Sequence, residues 1–178
     1  MQSYKILYNT NFSKTLNKSF TTYLEDNTVS YINGKHRQSI AIEYNPEHLK
    51  ELSKKYNFYE KMSSCKIEQT IVTDQKFAFL ICNTAKLNLK FINCTFNTGD
   101  EKELIFDDDN KISKEILKDL ILDPLISFEK TTFFDFEAHR IIVTKNGIIY
   151  FEKYNKEIPL LIDTINLGKK ALDHEENI

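Results

Sequence analysis

Apolar residues recur at helical spacing in four segments of the chain, and each of these segments predicts a helix with one apolar face. The first lies behind Asn11 or Ser13, either of which can cap it. The second has Asn45 as its cap and Pro46 at its first position, and its apolar face continues to Met62. The other two are expected to begin near Ile112 and at Pro159.

Elsewhere the apolar positions alternate or run together, and these segments predict strands. Phe77–Cys82 is apolar at every position, which is typical of a central strand with both faces covered. Between Phe91 and Ile92 the alternation changes phase, which predicts a β-bulge. Asn146-Gly147 is the strongest hairpin signal in the chain. The remaining strands are expected at Tyr4–Tyr8, Val29–Tyr31, Ile40–Tyr44, from Ile67, and at Thr132–Glu137, Arg140–Lys145 and Ile148–Tyr154.

These elements predict an α+β fold with about four helices and a mostly antiparallel sheet of about six to eight strands. Hairpins join most of the strands, and strand–helix–strand alternation does not persist, so a parallel sheet is not expected. No stretch rich in glycine, proline or serine interrupts the chain, and residues 1–178 are therefore predicted to form a single domain.

Composition places the chain among globular proteins, with 41% hydrophobic and 28% charged residues and a net charge of −2. No apolar run reaches the length of about 18 residues that a membrane span needs. The three cysteines, Cys65, Cys82 and Cys94, are odd in number and have no metal-binding spacing, which favours reduced thiols and a cytoplasmic location.

Several kinds of chemistry are excluded by missing motifs. The four glycines are dispersed, so neither of the two common glycine-rich phosphate loops can form. The four histidines make no zinc-binding pair on a helix. We therefore expect no metal, no cofactor and no enzymatic activity.

One cluster of ionisable residues supports an enzyme as the alternative function. Asp135, Glu137 and His139 lie within five positions just before a predicted strand. Together they could form an acid–base corner, so the alternative function is that of a small enzyme whose active site lies on the sheet around these three residues.

An acidic stretch, Asp100–Asp109, is the strongest local charge in the sequence, with Lys102 as its only cation. Phe106 inside it could supply an apolar anchor for an interface. We expect this stretch to bind a basic protein partner, although a solvated loop that caps the next helix also fits the pattern. The expected partner-binding residues are Asp100, Glu101, Glu103, Phe106, Asp107, Asp108 and Asp109.

Phenylalanines and carboxylates interleave over Phe133–Glu137, which makes this segment the second choice for an interface. A surface on which RNA bases stack needs lysine or arginine beside the rings. Because Asp135 and Glu137 stand beside them instead, we expect no direct binding of nucleic acid.

The overall character of the chain resembles that of immunity proteins from bacterial contact-dependent growth inhibition systems. The shared features are small size, acidity, few glycines and the stretch Asp100–Asp109. The many lysines, asparagines and isoleucines, with only two arginines, also indicate an A/T-rich coding region. The resemblance implies a non-enzymatic protein that binds a toxin domain, often a nuclease, and neutralises it by occluding a basic surface. That class has no diagnostic motif, so no site residue is carried over from it.

Overall fold

The computed structural model describes residues 1–97, 101–102, 114–123 and 125–173, with only the backbone described at 101, 102 and 114. The helices are α1 Lys14–Asp26, α2 Pro46–Tyr56, α3 Phe58–Ser64, α4 Asp74–Cys82, α5 Lys114–Leu122, α6 Glu157–Leu167 and α7 Lys169–Asp173. The strands are β1 Gln2–Asn9, β2 Tyr31–Asn33, β3 Ser39–Glu43, β4 Ile67–Gln69, β5 Lys90–Phe96, β6 Glu101–Lys102, β7 Phe128–Phe134, β8 Arg140–Thr144 and β9 Ile148–Phe151.

All nine described strands belong to one sheet, in the order β2-β3-β1-β9-β8-β7-β5-β6, with β4 also paired to β1. Each described pair of strands is antiparallel. The predicted α+β class with an antiparallel sheet is therefore confirmed.

Side chains on the two faces of β1 are buried in two different hydrophobic cores. Ile6 belongs to a large cluster that includes residues of α4 and α6, whereas Leu7 belongs to a smaller cluster formed with α1, α2 and α3. Consecutive strand residues point to opposite faces, so β1 and β3 are covered by helices on both sides. The large core continues across β9, β8, β7 and β5 on one face only, through Phe151, Val143 and Phe133.

Phe77–Cys82 lies in helix α4, so the predicted central strand is wrong. Phe77, Leu80 and Ile81 are buried and Phe79 is only half-buried, which is the spacing of a helix face. Thr73 caps the helix, because its hydroxyl accepts from the amide of Lys76. A short apolar run cannot be told from a buried helix by its periodicity alone.

Other local predictions are confirmed. Ser13 and Asn45 cap α1 and α2, and the pairing of β5 with β7 shifts register between Phe91 and Asn93. The Asn146-Gly147 turn joins β8 to β9, with Gly147 at a φ of 66°. A Cβ on Gly147 would overlap the backbone oxygen of Thr70, so both conformation and space require glycine there.

The predicted helix boundaries are wrong in two places. The expected helix through Met62 is divided at Asn57, whose left-handed φ of 54° ends α2 and begins α3. The last helix is divided at Gly168, at a φ of 57°. The described residues accordingly contain seven helices where four were expected.

The exposure of the thiols also differs from expectation. Cys65, which follows the polar pair Ser63-Ser64 and by that neighbourhood would be expected at the surface, is buried at the end of α3, whereas Cys82 is exposed on α4. The difference follows from the wrong strand prediction, because a helix turns Cys82 away from the core that a strand would have given it.

A buried carboxylate attaches α6 to the turn between β2 and β3. Asp163 is fully buried and accepts from the amide of His36 at 2.5 Å. Burial raises the pKa of the Asp163 carboxyl, although hydrogen bonds from His36 and Ser39 oppose the shift. Gly34 packs so closely that an added Cβ would overlap the carboxyl group. These contacts hold α6 against the sheet.

Candidate functional site

The acidic stretch Asp100–Asp109 lies almost entirely outside the described residues. The backbone of Glu101 and Lys102 forms β6, which pairs with β5 at the end of the sheet order. Its expected role therefore stays a prediction. The expected partner-binding residues that lie outside the described part are Asp100, Glu103, Phe106, Asp107, Asp108 and Asp109.

The structure does bring Asp135, Glu137 and His139 together. β7 ends at Phe134, so these residues form the turn to β8 rather than the end of the predicted strand. The Oδ1 atom of Asp135 accepts from the amides of Glu137 at 2.9 Å and His139 at 2.8 Å. Its Oδ2 atom accepts from the side-chain amide of Asn155 at 2.6 Å and lies 3.2 Å from Nδ1 of His139. We call residues 135–139 and 152–155 the β7–β8 corner.

The carboxylates of Asp135 and Glu137 in the β7–β8 corner each accept hydrogen bonds from donors close by. Burial alone would raise the pKa of Asp135, but the donors from His139, Asn155 and Glu137 outweigh it and hold the pKa below its usual range. The Glu137 carboxylate accepts from Nζ of Lys153 at 2.9 Å, and this contact lowers the pKa of Glu137. The Asp135 carboxylate is thus ionised at neutral pH and holds the turn in one conformation.

Asp135 and His139 in this corner could form part of an acid–base site. An aspartate at Nδ1 orients a histidine so that its other nitrogen can transfer a proton. An enzyme also needs a concave site for its substrate. A groove of about 390 Å³ lies on α1 and α3 instead, and no residue of the β7–β8 corner lines it. Its lining residues are Thr15, Lys18, Ser19, Thr22, Tyr23, Asp26 and Lys61.

The β7–β8 corner includes two exposed aromatic rings. The exposed fraction of Phe136 is 81% and that of Tyr154 is 52%. Phe136 stands between Asp135 and Glu137, whose partners Asn155 and Lys153 stand on either side of Tyr154. The two segments that carry these rings are therefore held together by hydrogen bonds. The sequence placed Phe136 in the second-choice segment, but Tyr154 was missed, because its position depends on contacts between distant segments.

Outside residues 98–113, 124 and 174–178, no three side chains of histidine, cysteine, aspartate or glutamate lie close enough together to hold a metal ion. None of the helices in the described part of the chain has both the length and the apolar character of a membrane span.

The chain matches no protein-family model, no curated protein and no solved structure. Its function is therefore argued from geometry and charge.

Asp135→Asn is expected to lower the free energy of unfolding at pH 7 by about 1–3 kcal/mol, because the amide NH2 group replaces one carboxylate oxygen and cannot accept from the donors that face that position. The pKa of this carboxyl is lower in the folded than in the unfolded chain. Its contribution is therefore present above the unfolded pKa, about 4, and is lost as the pH falls through the folded value.

Urea unfolding of the parent and Asp135→Asn at pH 7 and pH 3 measures this effect. The difference in stability between the two chains should be smaller at pH 3. Glu129→Gln is the matched control, because Glu129 is an exposed carboxylate 3.6 Å from Lys145 and should contribute less than about 1 kcal/mol. A difference between parent and Asp135→Asn that is the same at both pH values would contradict the assignment.

Proposed function

We propose that this chain is a non-enzymatic immunity protein that binds a toxin domain in the bacterial cytoplasm and neutralises it by covering a basic surface. The observation that best supports binding is the 81% exposure of Phe136 on a turn that Asp135 holds rigid. Large exposed aromatic rings are typical of the few residues that dominate the energy of an interface.

The rigidity of the β7–β8 corner supports the same function. Asp135 accepts from two backbone amides within the turn and from Asn155 beyond β9. The Phe136 ring is therefore presented by a backbone whose conformation is already fixed. A surface that is ordered before binding loses less entropy when a partner docks, so more of the contact energy appears as affinity.

The negative charge of the stretch Asp100–Asp109 supports the proposal that the partner is basic. The sequence Asp100–Asp109 carries six carboxylates and one lysine in a chain whose net charge is only −2. Such a concentration of charge accelerates association with a basic protein and orients the two molecules as they meet. A nuclease domain is the proposed target, because the surface on which it holds nucleic acid is basic.

The alternative is a small enzyme that works through Asp135, Glu137 and His139. The observation in its favour is the 3.2 Å contact between Asp135 Oδ2 and His139 Nδ1, the geometry of an oriented histidine. It is the second candidate because the Asp135 carboxylate already accepts from two backbone amides of the turn and from Asn155, which gives it a structural role.

Phe136→Ala is expected to weaken binding to the toxin domain by about 30-fold or more, because it removes an anchoring ring from the interface. Its stability should change by less than about 0.5 kcal/mol, since the ring is exposed. The measurement is isothermal titration of the chain with a purified toxin domain from which it protects cells, together with urea unfolding.

Tyr56→Ala is the matched control for Phe136→Ala. Tyr56 is an exposed ring at the end of α2, outside the β7–β8 corner, with an exposed fraction of 50%. This variant should bind as the parent does. If Phe136→Ala and Tyr56→Ala bind equally well, the corner is not the interface.

A further inference from the structure

One face of the sheet differs in chemistry from the rest of the molecule. On β7, Phe133 and Thr131 are fully buried on the side of the large core, so Lys130, Thr132 and Phe134 point to the other side. On strands β5, β7, β8 and β9, no side chain of this second side belongs to either buried core cluster of the described residues. We call it the outer sheet face.

The strand register shows which residues stand next to one another on the outer sheet face. Phe134 is opposite Lys90 of β5 on one side and opposite Arg140 of β8 on the other. In the next row across the strands, Thr132 is opposite Asn93 and Ile142, and Ile142 is opposite Tyr150. In the third row, Lys130 is opposite Thr95 and Thr144.

Carboxylates beside the aromatic rings were the reason to expect no binding of nucleic acid. Across the strands, however, Phe134 has other neighbours. Along the chain Phe134 is followed by Asp135, but consecutive strand positions face opposite sides, and the Asp135 carboxylate is held inside the β7–β8 corner. The neighbours that share a face with Phe134 are those across the strands, and both are cations. Adjacent strands lie about 5 Å apart, so Lys90 and Arg140 bracket the ring at close range.

The charge of the outer sheet face is opposite in sign to that of the whole chain. Its cations are Lys90, Lys130 and Arg140, with Lys5 on the neighbouring β1, where the ammonium donates to the backbone oxygen of Asn146. Among the side chains that the structure describes on this face, Glu152 is a carboxylate, which follows β9 and accepts from the backbone amide of Arg140 at 3.0 Å. The register also places Glu101 of β6 opposite Thr95, at the edge of the same face. The chain as a whole has a net charge of −2.

We propose that the outer sheet face binds single-stranded nucleic acid. A base stacks on Phe134, and its flanking phosphates contact Lys90 and Arg140. Tyr150 is a second ring on the same face, and Asn93 and Thr132 supply donors and acceptors for base edges. The binding of an acidic polypeptide would require only the cations of this face and would leave the ring and the polar side chains unused. A ring bracketed by cations, with polar side chains in the adjoining row, suits a stacked base and its phosphates better.

This activity is separate from the proposed neutralisation of a toxin, which uses the β7–β8 corner and the acidic stretch. The test is fluorescence anisotropy with a labelled 12-nucleotide oligouridylate, titrated with the full chain at several salt concentrations. Binding should weaken with salt, because each neutralised phosphate contributes about 0.7 to the slope of log K against log salt for a single strand.

Two variants test the residues. Lys90→Gln with Arg140→Gln should reduce that slope by about 1.4, as expected for two lost phosphate contacts. Its matched control is Lys54→Gln with Lys55→Gln, which changes the net charge equally at exposed positions of α2 and should leave the slope of the parent. Phe134→Leu keeps an apolar side chain but removes the ring, and it should weaken binding by about 5- to 100-fold.

Circular dichroism and urea unfolding establish that each variant is folded before it is titrated. The proposal is overturned if the parent chain does not bind the oligonucleotide, or if the Lys54/Lys55 control weakens binding as much as the Lys90/Arg140 variant. It is also overturned if a glutamate-rich peptide of equal charge competes as well as unlabelled oligouridylate, since the face would then take acidic protein instead.

Discussion

Phe77→Ala is expected to lower the free energy of unfolding by about 3–5 kcal/mol, because it empties a fully buried site in the large core. The Phe77 ring stacks on Phe128 of β7, with centroids 5.5 Å apart and an angle of 23° between the planes. Removing it leaves a cavity between α4 and the sheet. Urea unfolding of the two chains measures the loss.

Phe79→Ala is the matched control on the same helix. Phe79 is only half-buried at the edge of the large core, so its loss should cost about 1–2 kcal/mol. A strand would have placed Phe77 and Phe79 on the same face and given both substitutions similar costs. Equal losses would therefore contradict the assignment of Asp74–Cys82 to a helix.

Neutralising Asp107, Asp108 and Asp109 together as asparagines is expected to slow association with the toxin domain first and then to weaken the complex. Charge complementarity acts mainly on the association rate, whereas a desolvated charge at the centre of an interface contributes about 2–5 kcal/mol when its partner is left unpaired. Surface plasmon resonance at low and physiological salt measures both rates. The effect should diminish as salt screens the charges.

The matched control removes three carboxylates elsewhere. Glu47, Glu51 and Glu60 are exposed on α2 and α3, and their replacement by glutamine changes the net charge by the same amount. That control should associate nearly as fast as the parent. If the aspartate variant matches the parent at every salt concentration, the acidic stretch is a solvated surface and the β7–β8 corner carries the interface alone.

Local signals in the sequence predicted the fold where one short segment decides the structure. Ser13 and Asn45 cap helices because their side chains accept from amides two or three positions ahead, and Asn146-Gly147 forms a turn because its glycine adopts a positive φ. Phe77–Cys82 could not be assigned in this way. Its residues are apolar in every position, and the helix is favoured by packing against α5, α6 and β7, which are distant in sequence.

In the candidate site, too, contacts between distant segments could not be predicted from the sequence. Asp135, Glu137 and His139 are close in sequence, so their clustering could be predicted, and the structure confirms that they meet. Asn155 and Lys153 could not be linked to them, because those contacts depend on β8 and β9 folding back as a hairpin. The cations beside Phe134 were missed for the same reason, since a strand register is a property of pairs of segments.

The central claim is that the chain acts by stoichiometric binding, and a titration of toxin activity tests it most directly. The toxin domain is held well above the Kd with its nucleic-acid substrate in large excess, so that sequestration of substrate by the outer sheet face cannot imitate inhibition. We predict that activity falls linearly with added chain and reaches the baseline at about one equivalent. Full inactivation by a small fraction of an equivalent would contradict this account and indicate an enzyme acting on the toxin.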